Sequence, residues 1–71
     1  MRDEILQKKV GNRIQELRLQ KNLSQQILAA KCNFEKSNLS RLESGRVNST
    51  LSTLNTIAKG LEVNILELFK F

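Results

Sequence analysis

The chain has 71 residues, no histidine, one cysteine, and 12 Lys/Arg against 7 Asp/Glu, a formal charge of +5. One cysteine closes no intrachain disulfide, and without histidine a Cys/His zinc site is out of reach. No run of about 18 apolar residues could span a bilayer, and the opening Met1-Arg2-Asp3-Glu4 begins no apolar signal sequence, so a soluble, cytoplasmic protein with a small packed core is expected.

No proline interrupts the sequence and its aromatics are three phenylalanines, so the alternating aromatic and β-branched residues of strands are missing. Leu6, Val10, Ile14 and Leu17 recur at spacings of four, four and three, which lines one face of a helix over 3–21 with Asp3 as its N-cap. Asn22 takes the left-handed conformation that ends it, and Ser24 caps the next helix at once. This second helix, over 25–31, turns Leu28, Ala29 and Cys32 inward; Asn33 is at ease with positive φ and stops it, and Phe34 anchors the turn. A third helix, over 35–44, buries Leu39 and Leu42 while Lys36, Ser37, Ser40 and Arg41 stay on its other faces, and Gly45 ends it.

A polar loop over 46–49 leads to Thr50, cap of a fourth helix carrying Leu51, Leu54, Ile57, Ala58 and Leu61. Asn64 caps a fifth, short helix presenting Ile65, Leu68 and Phe69, with Phe71 at the very end. The expectation is an all-α chain, one compact unit of five helices over 1–71, with no repeat and no long linker.

The charge is one-sided. Residues 1–46 hold ten cations and five acids, a net +5, whereas 47–71 balance Lys59 and Lys70 against Glu62 and Glu67. A basic part joined to a neutral apolar part suggests one surface for a polyanion and another for a protein partner. Nothing supports catalysis or a cofactor: there is no histidine, no clustered carboxylate pair in a plausible cleft and no glycine loop to cradle a phosphate.

Two short helices joined by a tight turn, the second followed by a basic loop, have the helix-turn-helix layout. The segments Gly11-Asn12-Arg13-Ile14-Gln15-Glu16-Leu17-Arg18, Leu23-Ser24-Gln25-Gln26-Ile27-Leu28-Ala29 and Leu39-Ser40-Arg41-Leu42-Glu43-Ser44-Gly45-Arg46, continued by Leu54-Asn55-Thr56-Ile57-Ala58-Lys59, carry a resemblance. In order and spacing the chain resembles the Cro/C1-type (XRE-like) repressors of phages and bacteria over about residues 10–69.

That resemblance implies a lambda-repressor-like domain, a sequence-specific regulator, expected to repress, that binds double-stranded DNA with its third helix in the major groove. Lys36, Ser37, Ser40 and Arg41 match the base-reading positions. Arg41, and less well Lys36, suit guanine O6 and N7, and the serines suit several base edges; a role on phosphates alone stays open for both cations. Gln25 matches a glutamine that touches a phosphate and braces the first reading side chain, here Lys36. Asn38, Ser44, Arg46 and Asn48 are further phosphate candidates from their exposed positions on the third helix and the loop after it. Arg13 and Lys21 read equally well as solvated surface. Arg18 and Glu43 match a partly buried ion pair between the first and third helices.

The chain departs from the family at several positions. Glu35 replaces the usual Ser or Thr cap of the third helix, Asn33 the glycine of the turn, and Ser49 a loop proline. Glu62 replaces the glycine after the fourth helix, which Gly60 is expected to end early. Cys32 fills an aliphatic position as a buried thiol.

Short recognition helices usually work in pairs on a palindromic operator, so a homodimer is expected. Ile65, Leu66, Phe69 and Phe71 are its candidate interface, unless Phe69 and Phe71 fold back onto the first helix. No membrane partner or small-molecule substrate is expected. The rival reading from another class is a protein-interaction module, an antitoxin or adaptor with the same fold.

Overall fold

Caps set the boundaries of the elements in the computed structural model, which describes residues 3–71; Met1 and Arg2 of the opening tetrapeptide lie outside it. The Asp3 carboxylate accepts from the Leu6 N–H at 3.0 Å and starts α1, Glu4–Gln20. Ser24 Oγ accepts from Ile27 N–H at 3.1 Å to start α2, Gln25–Cys32, and Thr50 Oγ1 does the same for α4, Leu51–Leu61, through Thr53. Between them α3 runs over Lys36–Glu43, and Asn64 caps a C-terminal 3-10 turn, Ile65–Phe69. Each cap satisfies an N–H that the first helical turn leaves without a partner.

The helices stop where the chain turns left-handed. Asn22, Asn33 and Glu62 have φ of 58°, 59° and 60°. After Asn33 the Phe34 N–H reaches back to the Ala29 carbonyl at 2.8 Å, and after Glu62 the Val63 N–H reaches Ala58 at 3.0 Å. Asparagine tolerates this region, but a glutamate there carries a steric cost. Glu62→Gly is therefore expected to raise stability by about 1 kcal/mol, a gain of roughly 4–8 °C in melting temperature for a domain of this size. Calorimetry of the two proteins checks it, and an unchanged or lower melting temperature contradicts it.

Ile14, Leu28, Leu39, Ile57, Leu61 and Leu68 are fully buried, so every element sends at least one side chain into a single core. Phe34 packs against it half-buried. Cys32 is buried too; its thiol lies 3.6 Å from the Thr56 carbonyl, and burial pushes its pKa up, as expected of a packing residue.

Three expectations about the elements need correction. The fifth helix is a 3-10 turn: five residues between Asn64 and the chain end close i→i+3 bonds such as Glu67 N–H to Asn64 at 2.9 Å, giving four α-helices among the described residues. Gly60 does not end α4, which continues to Leu61. It lies where α2 and α4 pack closely, since a Cβ there would sit 2.8 Å from Cys32 Sγ. Leu6 and Leu51, counted with the apolar faces of the first and fourth helices, are 44% and 73% exposed and do not join the core. They face an open groove of about 310 Å³ between the start of α1, the 47–49 loop, the start of α4 and Phe69, where no further element among the described residues covers them.

Candidate nucleic-acid interface

The sequence of α3 makes a two-sided helix. Leu39, Leu42 and Glu43 are buried, and the 3.6-residue period places Lys36, Ser37, Ser40 and Arg41 on the outside, all exposed. Glu35 stands at the N-cap position but makes no side-chain cap; its carbonyl receives the Asn38 and Leu39 N–H groups at 3.0 and 3.2 Å. The carboxylate is left beside the positive end of the helix dipole, which favours it there.

One buried network fixes the orientation of α3. Arg18 Nε and Nη2 donate to the two Glu43 carboxylate oxygens at 2.7 and 3.1 Å, and Arg18 Nη1 donates to the Leu23 carbonyl at 2.7 Å. Arg18 and Glu43 are only 7% and 4% exposed. Gln25 adds a third bond, its amide nitrogen donating to Glu43 at 3.0 Å. A guanidinium fork on a carboxylate is geometrically demanding, so the network locks α1, the start of α2 and the end of α3 to one another.

The expected brace between Gln25 and Lys36 is not formed: the Gln25 amide nitrogen is bonded to Glu43, and its side-chain oxygen, the atom able to accept from the Lys36 ammonium, has no partner among the described residues. One N–H of the Gln25 amide remains free for another partner.

Other candidates are partly committed. Arg41 Nη2 donates to the Asn38 side-chain oxygen, which leaves the Asn38 amide nitrogen and the rest of the guanidinium facing outward. Ser44 spends its only hydroxyl proton on the Arg41 carbonyl at 3.0 Å. Lys36, Arg46 and Asn48 are exposed and, among the described residues, make no side-chain hydrogen bond or ion pair.

Arg13 is not simply solvated surface. Its Nε donates to the Glu67 carbonyl at 2.8 Å and its guanidinium pairs with Glu16 at 3.1 Å and Glu67 at 3.4 Å, tying α1 to the C-terminal turn. Lys70, 2.7 Å from Glu67, holds that carboxyl below the usual range, with Arg13 adding to the effect. Only the Glu16 contact, three residues along the helix, was visible in the spacing.

At the C-terminus, Lys9 Nζ lies 5.7 Å from the centroid of the Phe71 ring, and Phe69 lines the groove beside Leu6. Both phenylalanines reach α1 and yet stay exposed, Phe71 by 58%; Leu66 is 65% exposed and Ile65 half-buried against the core. Among the described residues no helix is long and apolar enough to cross a membrane, and no group of His, Cys, Asp or Glu is placed to hold a metal.

Residues 14–68 match the family model HTH_3, described as helix-turn-helix. The chain is 40% identical over 63 residues to an uncharacterized HTH-type transcriptional regulator, y4dJ, of Sinorhizobium fredii, across 89% of this chain and 82% of that one. It is 39% identical over 56 residues to the immunity repressor protein of Bacillus phage phi105, across 79% of this chain and 39% of the repressor. Among solved structures, the restriction-modification controller protein C.AhdI from Aeromonas hydrophila matches with a TM-score of 0.85 at 35% identity, covering 87% of this chain and 94% of that one.

Proposed function

The chain belongs to the helix-turn-helix family HTH_3, and from that membership we propose that it is a transcriptional regulator, a repressor, that binds double-stranded DNA sequence-specifically and is not an enzyme. One observation carries the site assignment: Lys36, Ser37, Ser40 and Arg41 form an exposed face on a helix whose opposite face is locked by Arg18 and Glu43. Such a helix is presented rigidly and loses little conformational freedom on binding.

In this reading α3 enters the major groove. Arg41 and Lys36 donate to guanine O6 and N7, and Ser37 and Ser40 contact base edges. Gln25, Asn38, Arg46 and Asn48 hold phosphates, with the free N–H groups at the start of α2 beside Gln25. Ser44 joins them only by giving up its bond to Arg41.

Two copies read a palindromic operator with half-sites about 34 Å apart. The exposed Leu66 and Phe71, with Phe69 and the outer edge of Ile65, form the shared face. The protein acts with the DNA in the cytoplasm, and its own concentration sets occupancy through dimerisation.

The test titrates the protein into a fluorescent duplex carrying its own upstream region and into a scrambled duplex, each at two salt concentrations. Arg41→Ala is expected to lose about 1–3 kcal/mol on the cognate duplex, roughly 5- to 150-fold, with a much smaller loss on the scrambled one. Equal, weak binding of the wild type to both duplexes would overturn the proposal and favour a protein-interaction module.

A further inference from the structure

Lys8 belongs to none of the groups assigned above, yet the fold carries it to the end of α3. Gly45, which closes that helix with a φ of 78°, lies directly against it: a Cβ on Gly45 would sit 2.6 Å from Lys8 Cγ and 2.7 Å from Lys8 Cα. Only bare backbone leaves room for the lysine stem there. Three residues along the same edge of α1, Gly11 makes the next close approach, to the carbonyls of Leu42 and Glu43. The edge of α1 that bears Lys8 therefore runs beside the last turn of α3.

Ser44 and Arg46 flank Gly45, each one peptide unit or about 3.8 Å away along the chain. With its backbone and Cγ against Gly45, Lys8 has enough stem left for its ammonium to reach to either side of that glycine. Lys8 is exposed and, among the described residues, pairs with no carboxylate, although Glu4 stands one turn before it on α1. Its neighbour Lys9 is placed over the Phe71 ring instead. The last turn of α3 carries the negative end of its dipole, so an anion settles there only where cations outweigh that end. Arg41 in that turn is bonded to Asn38, Arg46 follows it, and Lys8 adds a further cation from α1.

We propose that Lys8 is a further phosphate contact, extending the DNA footprint from α3 onto α1 and sharing one backbone phosphate with Arg46. The proposal rests on the DNA-binding reading above. A competing role is purely structural, with the ammonium serving only to offset the dipole of α3.

The test uses the full chain with Lys8→Met, which keeps the stem and removes the charge, Lys8→Arg, and Lys59→Ala as a charge-matched change on α4. Affinity for the upstream and scrambled duplexes is measured across a salt series, with melting temperatures alongside. Lys8→Met is expected to weaken both duplexes alike, by about three- to tenfold, and to reduce the slope of log K against log salt by about 0.9. Lys8→Arg should keep wild-type affinity and Lys59→Ala should leave the slope unchanged. If Lys8→Met binds as the wild type does, with the same slope, the inference is overturned; a lowered melting temperature in that case assigns Lys8 to the dipole. A wild type that binds neither duplex overturns the DNA reading itself, and the Lys8 contact with it.

Discussion

Glu43→Ala is expected to destabilise the fold by about 3–5 kcal/mol, a large share of the stability of a domain held by about 0.05–0.15 kcal/mol per residue. The substitution strips the Arg18 guanidinium of both oxygens of its charged partner while leaving it in a site only 7% exposed. The Leu23 carbonyl is the one acceptor that remains, and Gln25 loses its bond as well. The burden is an unpaired buried charge and not the worth of the pair, so replacing both residues by apolar ones of similar volume, Arg18→Met with Glu43→Leu, should recover most of the loss. Urea unfolding of the single and double variants separates the two effects. A single variant that loses less than 1 kcal/mol would mean that water reaches this pair in solution.

Gly11→Ala is the second large effect, and its direction runs against helix propensity. At an exposed helical position the change favours the helix by about 1 kcal/mol. Here the new methyl would lie 2.4 Å from the Leu42 carbonyl oxygen and 2.8 Å from that of Glu43. Both are backbone atoms of α3 and cannot rotate aside, so α1 must move away and the forks of Arg18 move with it. Overpacking of this kind typically costs about 1–3 kcal/mol, which for a chain of this length lowers the melting temperature by roughly 10 °C. Gly60→Ala is the internal control. Its close neighbours are side-chain atoms, Cys32 Sγ at 2.8 Å and a Leu28 methyl at 3.1 Å, which can shift, and the propensity gain offsets the contact. Equal melting temperatures for the Gly11 variant and the wild type would show that the two helices are not in fixed register.

Much of the local architecture is legible in the sequence. Asp3, Ser24, Thr50 and Asn64 cap, and Asn22 and Asn33 turn, because these choices depend on a few neighbouring residues whose chemistry is in the sequence. The exposed face of α3 follows from helical period alone. The ion pair is different: Arg18 and Glu43 are 25 residues apart, and only the family resemblance connected them. The exposure of Leu6 and Leu51 was not readable, since period shows which face a residue is on but not whether another element covers it. Nor were the links from Gln25 to Glu43, from Arg13 to Glu67 and from Lys8 to Gly45, which arise where elements distant in sequence meet.

The division of α3 into two faces separates heritable identity from viability. Substitution at 36, 37, 40 or 41 removes no buried contact, because stability is vested in Leu39, Leu42 and Glu43 on the other side. Under the proposed reading a lineage can therefore change which operator it recognises through successive single exchanges, each intermediate still folded. Gln25 is the exception: its tie to Glu43 makes it answerable to both demands, so it has far less freedom to drift than the four positions proposed to read the bases.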